Sequence, residues 1–409
     1  MTPSACACLM PRIKRPRKTH GPGQRQNIQT FIRKFLTPGK EKGFNAMRII
    51  DSSSTFKLPG SVRKVLLIQL GDIGDVVWTT PSIRAVKNSL PGSKVSVMVK
   101  DGFGGLLEVD PSIESIFEVK SYHGNLFHQA TGQLSFIREL RAQHFDLVVD
   151  LRLGDRGAFM SFASGAPIRV TFYQSWGLPR WRWFFFTHGV VPGPSVYTRG
   201  ATDQSLRILR EIGIDTKDII PKLWVSDTVK KRVQEILTGE KMDRYNRWIT
   251  INPYSRWTYK EWSDPKWIDI IQWLWKEFAM PTIVIGSPDE NSKVEALIRQ
   301  CTAPAFNFAG KTTLAELAGL LKLSHLHIGV DSAGPHIAAA TGTPTVTIYG
   351  PSSWQDWAPV GEQHRVVLPD MDCVPCKKKG CNHSGRSLCL KALSTDSVKS
   401  VISEIMKKP

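Results

Sequence analysis

The chain has 409 residues, 41% of them hydrophobic and 26 of them proline. That is too much chain for one ordinary core and enough apolar content for two domains of roughly 150–200 residues. Its net charge of +18 invites a nucleic-acid reading, but residues 1–60 hold twelve Lys/Arg against two Asp/Glu, a net of +10 that leaves +8 for the other 349. No eighteen apolar residues run together, which argues against a spanning helix. No apolar segment follows the basic N-terminus, so a secretory leader is not expected.

Residues 1–60 read as a basic, disordered extension, polar and Pro-rich at SACACLMPRIKRPRKTHGPGQRQ. It either binds an anionic surface or nucleic acid, or is a leader created by a start placed upstream of Met47. A first α/β domain is expected over 61–230. There the apolar run VRKVLLIQL enters the loop GDIGD, and PSIRAVKNSL follows with helical spacing. Strands are expected at 94–99 and 145–151, a turn or helix then a strand over 110–119, and a helix around FIRELRAQ. TDQSLRILREIGI is a helix closed by Gly213, and the amphipathic stretch KKRVQEILTGEKMDRYNR marks the boundary.

A second domain is expected over 245–390, with RWITINP, PTIVIGSP, HLHIGV and PTVTIYG as strands. PKWIDIIQWLWKEF, NSKVEALIRQ, TTLAELAGLLKLS and SAGPHIAAATG are the alternating helices, and a C-terminal helix occupies 391–409. Such alternation implies two mostly parallel sheets facing a cleft, with ligands beyond the carboxyl ends of the strands.

The loops at those ends carry opposite chemistry. GDIGD lacks the full dinucleotide fingerprint and the P-loop lysine, and its carboxylates suit an uncharged hydroxyl better than a phosphate. Asp75 is therefore a candidate base, or else the cap of the following helix. In DSAGPH, Asp331 ends a strand while Ser332, Ala333 and Gly334 let backbone amides approach a diphosphate at a helix N-terminus. His336 is either a further donor or a satisfied core histidine. Lys260 could neutralise the same phosphates or face solvent. Glu290 could clasp a ribose diol or serve the helix dipole.

Together these motifs resemble glycosyltransferase family nine, the bacterial heptosyltransferases of lipopolysaccharide core synthesis. LLIQLGDIGDVVWTTPSIRAVKNSLPGSKVSVMV is similar to the family's opening and VDSAGPHIAAATGTPTVTIYGPSSWQDWAP to its second signature. DLRLGDRGAFM, RWRWFFFTH and TRGATDQSLRILREIGI resemble the heptosyltransferase III type. The resemblance spans about residues 62–405. It implies an α/β fold of GT-B type, two Rossmann-like domains, and inverting transfer of a heptose from ADP-L-glycero-D-manno-heptose, with Asp75 as base. It also implies that Ser255, Arg256 and Lys260 lie near the phosphates, Glu290 near the ribose, and Asp331, Ser332, Ala333, Gly334 and His336 along the diphosphate helix. No cofactor is required in this reading. Ser332 and Ala333 stand where some relatives have Thr-Gly, which leaves donor preference open.

The implied acceptor is the phosphorylated lipid A core, reached by a cytoplasmic enzyme in peripheral contact with the anionic inner membrane. Arg152, Arg156, Arg180 and Arg182 are the acceptor-phosphate candidates. WGLPRWRWFFFTH suits a lipid interface, or else an ordinary buried contact. Cys373, Cys376, Cys381 and Cys389 have spacings compatible with a tetrahedral metal site, with local structural thiols as the alternative. The rival functions are a related transferase using another nucleotide sugar or glycan acceptor, and a nucleic-acid-binding protein, which the concentration of basic charge in the tail disfavours.

Overall fold

The structure is a computed structural model, and it describes residues 47–51, 56–120, 126–174, 180–193 and 200–407. The residues from Ala46 onward form one compact unit containing two parallel sheets. The first orders its seven strands β1-β7-β6-β5-β2-β3-β4: β1 (Arg48–Ile50), β2 (Lys64–Ile68), β3 (Lys94–Lys100), β4 (Ser115–Val119), β5 (Leu147–Asp150), β6 (Ile168–Phe172) and β7 (His188–Val190). The second orders six strands β10-β9-β8-β11-β12-β13: β8 (Ile249–Asn252), β9 (Thr282–Val284), β10 (Ala305–Asn307), β11 (Leu326–Val330), β12 (Thr345–Ile348) and β13 (His364–Val367). The two parallel sheets are those that the alternating pattern predicts, in the GT-B type arrangement that the family resemblance implies.

The strands form where they do because both faces of each sheet are covered. On β2, Val65 and Leu67 enter one apolar cluster, while Leu66 and Ile68 enter another on the opposite face. A continuous apolar run is therefore the correct signature of this central strand. The helix Ile73–Ser89 follows it and carries Pro81 inside. The Val77 carbonyl, which the missing Pro81 N–H would have served, accepts from Thr80 Oγ1 at 2.9 Å.

One expectation needs correction. The basic extension does not run unbroken to residue 60, because Arg48–Ile50 pairs in parallel with His188–Val190 and buries Ile50. An edge strand this short has no periodicity of its own, and the partner strand defines it. The segment after residue 180 is a 3-10 turn, Arg180–Phe185, that leads into β7. Expectations that fall on residues 1–46 and 175–179, and on the side chain of Arg180, lie outside the described residues.

Both sheets change direction of winding at their centres. In the first, β2 lies between β3 and β5; in the second, β8 lies between β9 and β11. A crevice opens at such a switch point, outside the carboxyl ends of the strands. The residues following β2, β5, β8 and β11 are therefore the ones the topology presents to a ligand.

Candidate functional site

At the end of β2 the loop turns into the Ile73 helix through a capping box. Asp72 is the N-cap, and its N–H donates to Asp75 Oδ2 at 2.7 Å. Asp75 thus satisfies an orphan helix donor, and this capping occupies one oxygen of the candidate base. Arg152, two residues beyond β5, directs Nη1 to the same Oδ2. Asp72 reaches the other way, to Arg256 of the second lobe at 2.7 and 3.2 Å and to Lys100 at 3.3 Å. The Arg256 guanidinium hydrogen-bonded to it holds the Asp72 carboxyl down at about 2, with Lys100 adding to the effect.

Across the seam stands the helix Ala333–Ala340, whose first residues follow β11. It packs close to β8 and β11 because their inner faces carry Thr250, Asn252, His327 and Gly329 instead of large apolar side chains. A Cβ on Gly334 would stand 2.8 Å from His327 Nε2 and 2.9 Å from Asn252 Oδ1, so the helix terminus needs glycine there. Ser332 Oγ donates to Asn252 Oδ1, and Asn252 Nδ2 donates to the carbonyls of Tyr254 (3.3 Å) and Ile285 (3.5 Å). This buried amide ties the Ala333 helix to two strand ends. His327 takes its other contact from Thr250 Oγ1 at 3.0 Å, and burial holds its imidazole at about 3, hence neutral.

The two lobes touch at the candidate site itself. The ring of His336 lies edge-on to Trp78 with centroids 5.7 Å apart, and 3.0 Å from where a Cβ on Gly74 would stand. Burial keeps His336 below its ordinary value, so at neutral pH it faces the Asp75 loop as an uncharged ring. Lys260 Nζ pairs with Asp331 at 2.6 Å. Burial, with Asp331 adding to it, pushes the Tyr349 hydroxyl up from its ordinary value. The topology therefore brings Asp75, Arg256, Lys260, Asp331, Ser332, Ala333, Gly334 and His336 to one seam.

Several other expected residues have different surroundings. Glu290 Oε2 accepts from the Ser287 N–H at 2.8 Å in a capping box, so its capping role is realised here. Ser255 holds the local turn, its Oγ accepting from Trp257 N–H at 3.3 Å. Arg156 donates to the Lys120 carbonyl at 2.7 Å. Arg182 is buried against Asp155 (3.4 Å) and the Leu153 carbonyl (3.4 Å), which removes it from the open acceptor surface expected of it.

Burial raises the Cys389 thiol from its ordinary value, with Cys373, Cys381 and Cys376 adding to the effect. Cys373 is exposed, Cys376 and Cys381 are half-buried and Cys389 is buried, drawn into the core beside Leu390. Among the described residues no group of three or more His, Cys, Asp or Glu is arranged to hold a metal ion. The loop instead braces the Lys260 segment: Ser387 Oγ donates to the Tyr259 carbonyl at 2.6 Å, and Thr258 Oγ1 donates to the Gly385 carbonyl at 3.2 Å.

Asp72, Asn252, His327 and Asp150 are residues of the site that the sequence motifs alone do not assign. Asn252 and Asp150 end strands beside the two switch points, and strand order is the signal needed to find them. Asp150 is fully buried, accepts from Arg152 N–H at 3.1 Å, and is pushed up to about 8 by burial despite Arg152 and Arg182 nearby.

Comparison with known proteins agrees with this architecture. Lipopolysaccharide heptosyltransferase 3 of Escherichia coli K12 is 28% identical over 292 residues, covering 70% of this chain and 82% of that protein. The solved glycosyl transferase family 9 protein of Veillonella parvula superposes with a TM-score of 0.72 at 20% identity, over 85% of this chain and 98% of that one. The E. coli ADP-heptose LPS heptosyltransferase II superposes with a TM-score of 0.68 at 18% identity, over 84% and 98%. The model of glycosyltransferase family 9 (heptosyltransferase) matches residues 133–386, well over half of the chain, and the chain belongs to that family of glycosyltransferases.

Proposed function

We propose that this glycosyltransferase moves a heptose from ADP-L-glycero-D-manno-heptose to the phosphorylated inner core of lipopolysaccharide with inversion, using Asp75 as general base. The observation that carries this reading is the meeting of the Asp75 loop with the Ala333 helix terminus, at Gly74 and His336, where the two switch points converge. One side offers a carboxylate. The other offers backbone amides, a lysine and an uncharged imidazole.

In the reaction the acceptor oxygen forms a bond to the anomeric carbon as the bond to the diphosphate breaks, the electron pair leaving with ADP and the hydroxyl proton passing to Asp75. A carboxylate suffices for this because proton transfer late in the displacement needs positioning more than strength. Negative charge growing on the diphosphate is met by the amides of Ala333 and Gly334, by Lys260 and by Arg256. No cofactor is invoked in this scheme. The acceptor's lipid is reached from a membrane surface by a cytoplasmic enzyme in peripheral contact, which the exposed Phe159, Phe162 and Phe184 beside the acceptor-side loops support. Among the described residues no helix is long and apolar enough to cross a membrane.

The test is transfer from ADP-heptose to purified heptosylated lipid A core with EDTA present, the product linkage being read by mass spectrometry and NMR. One added heptose is expected, together with a loss of about 10²–10⁴ in kcat for Asp75→Asn with ADP binding kept. A folded, donor-binding Asp75→Asn protein with full activity would refute the base assignment. Failure of the native enzyme to bind ADP-heptose would refute the donor.

A further inference from the structure

Among the described arginines expected to meet the acceptor, Arg152 is the one held on the candidate base. Its backbone N–H is anchored on Asp150 Oδ1 (3.1 Å) and its carbonyl accepts from Gly154 N–H at 2.8 Å. This tight turn sends the side chain across the end of β2. There it contacts Asp75 Oδ2, the oxygen that already accepts from Asp72 N–H. Room for the pair comes from Gly71, where a Cβ would stand 2.6 Å from Arg152 Nη1 and would strike Asp75 Oδ2. Asp75 is largely buried while Arg152 remains about half exposed, so a ligand can reach the guanidinium from solvent without disturbing the carboxylate.

A guanidinium stays charged throughout the working pH range and pairs bidentately with phosphate oxygens. A carboxylate oxygen already filled by two donors is a poorer proton acceptor than a released one. We propose that Arg152 guards the base: in the free enzyme it occupies Asp75, and an anionic acceptor draws it away, freeing the carboxylate only when a hydroxyl is in place to be deprotonated. This rests on the reading of Asp75 as general base. The guard suppresses a wasteful alternative in which water attacks the anomeric carbon, the bond to the diphosphate breaks with its electrons going to ADP, and the water proton goes to Asp75. Asp150 acts through Arg152 as a positioning residue, since it fixes the turn from which the guanidinium reaches.

The experiment measures ADP release from ADP-heptose without acceptor, and KM and kcat with native or phosphatase-treated lipid A core. It is run on the full-length wild type, Arg152→Gln, Arg152→Lys, Gly71→Ala and Asp75→Asn, each checked by thermal melting and ADP binding. Arg152→Gln is expected to raise acceptor-independent ADP release by about threefold or more and to raise acceptor KM by about tenfold. Its KM should no longer depend on the acceptor phosphates, and Arg152→Lys should restore part of each effect. Gly71→Ala, which keeps both charges and displaces the pair, is expected to raise acceptor-independent release as well. Release that is unchanged or lower in folded Arg152→Gln and Gly71→Ala would overturn the guard. Asp75→Asn separates the two ideas: retention of transfer there defeats the base reading, whereas loss of transfer there without uncoupling in the Arg152 variants defeats the guard alone.

Discussion

Asp150 shows how one buried group ties stability to pH. Its folded carboxyl sits at about 8 against an ordinary 3.8, raised by burial. A raised acid is stabilised in its protonated form, so its contribution is complete below about pH 4 and is lost as pH climbs through 8. Asn keeps an acceptor for the Arg152 N–H but cannot ionise. The melting temperature of Asp150→Asn minus that of wild type should therefore grow between pH 5 and pH 8 and level off near pH 9. Each tenfold change in proton affinity between the folded and unfolded chain is worth about 1.4 kcal/mol. The full difference is thus on the order of several kcal/mol, and a flat difference in scanning calorimetry would contradict it. The residues that sequence can reach, Asp75, Lys260 and the Ala333 terminus, are legible because a loop after an apolar run is visible locally. Asp150, Asn252 and His327 are not, because their importance depends on which strands become neighbours, and that is a property of sheet order.

The loop from Cys373 to Cys389 matters through what it touches. Ser387 and Thr258 fasten it to the short helix Thr258–Lys260, so a change in this loop should be felt at the phosphates that Lys260 is proposed to meet. Ser387→Ala removes a hydrogen bond worth roughly 1 kcal/mol and is expected to raise KM for the nucleotide sugar several-fold with kcat little changed, as steady-state kinetics would show. An equal fall in kcat and kcat/KM would mean the brace acts on the chemical step instead. The cysteine spacing is visible in the sequence, but the depth at which each thiol sits is not. The core demands Cys389 beside Leu390 and leaves Cys373 outside. β1, β6, β7, β10 and β13 are hidden in the sequence for a related reason: strands of three to five residues at or near a sheet edge have too little length to express a period, whereas the central β2 declares itself by an unbroken apolar run.

The two lobes are joined by more than a hinge. One apolar cluster includes Val65 and Leu67 of the first sheet, Ile337 of the Ala333 helix, and Ile283 and Leu320 of the second lobe. The Leu223 N–H donates to the Ala340 carbonyl across the seam at 2.8 Å. Cutting between the lobes would expose this surface, so calorimetry should find a single cooperative transition, and a fragment beginning near residue 245 should aggregate. Two resolved transitions would show that the shared cluster does not couple the lobes. The two-domain layout is readable from the repeated strand and helix grammar; the shared core is not, because a helix face that packs on the other lobe looks the same in sequence as one that packs on its own.

If Arg256 meets the donor phosphates as proposed, the Asp72 carboxylate paired with it is a built-in mimic of the leaving group. A carboxylate occupies the cation that a phosphate is proposed to use, so on that proposal the donor's arrival exchanges one anion for another. On the same proposal ADP departure is the reverse exchange, with Asp72 reclaiming the guanidinium as the nucleotide lets go. Such a swap keeps product from lingering at the expense of tight substrate capture, an arrangement suited to throughput. Asp72→Asn, which preserves a helix cap, should bind ADP more tightly and release it more slowly in stopped-flow measurements; unchanged release would mean the mimic plays no part in turnover.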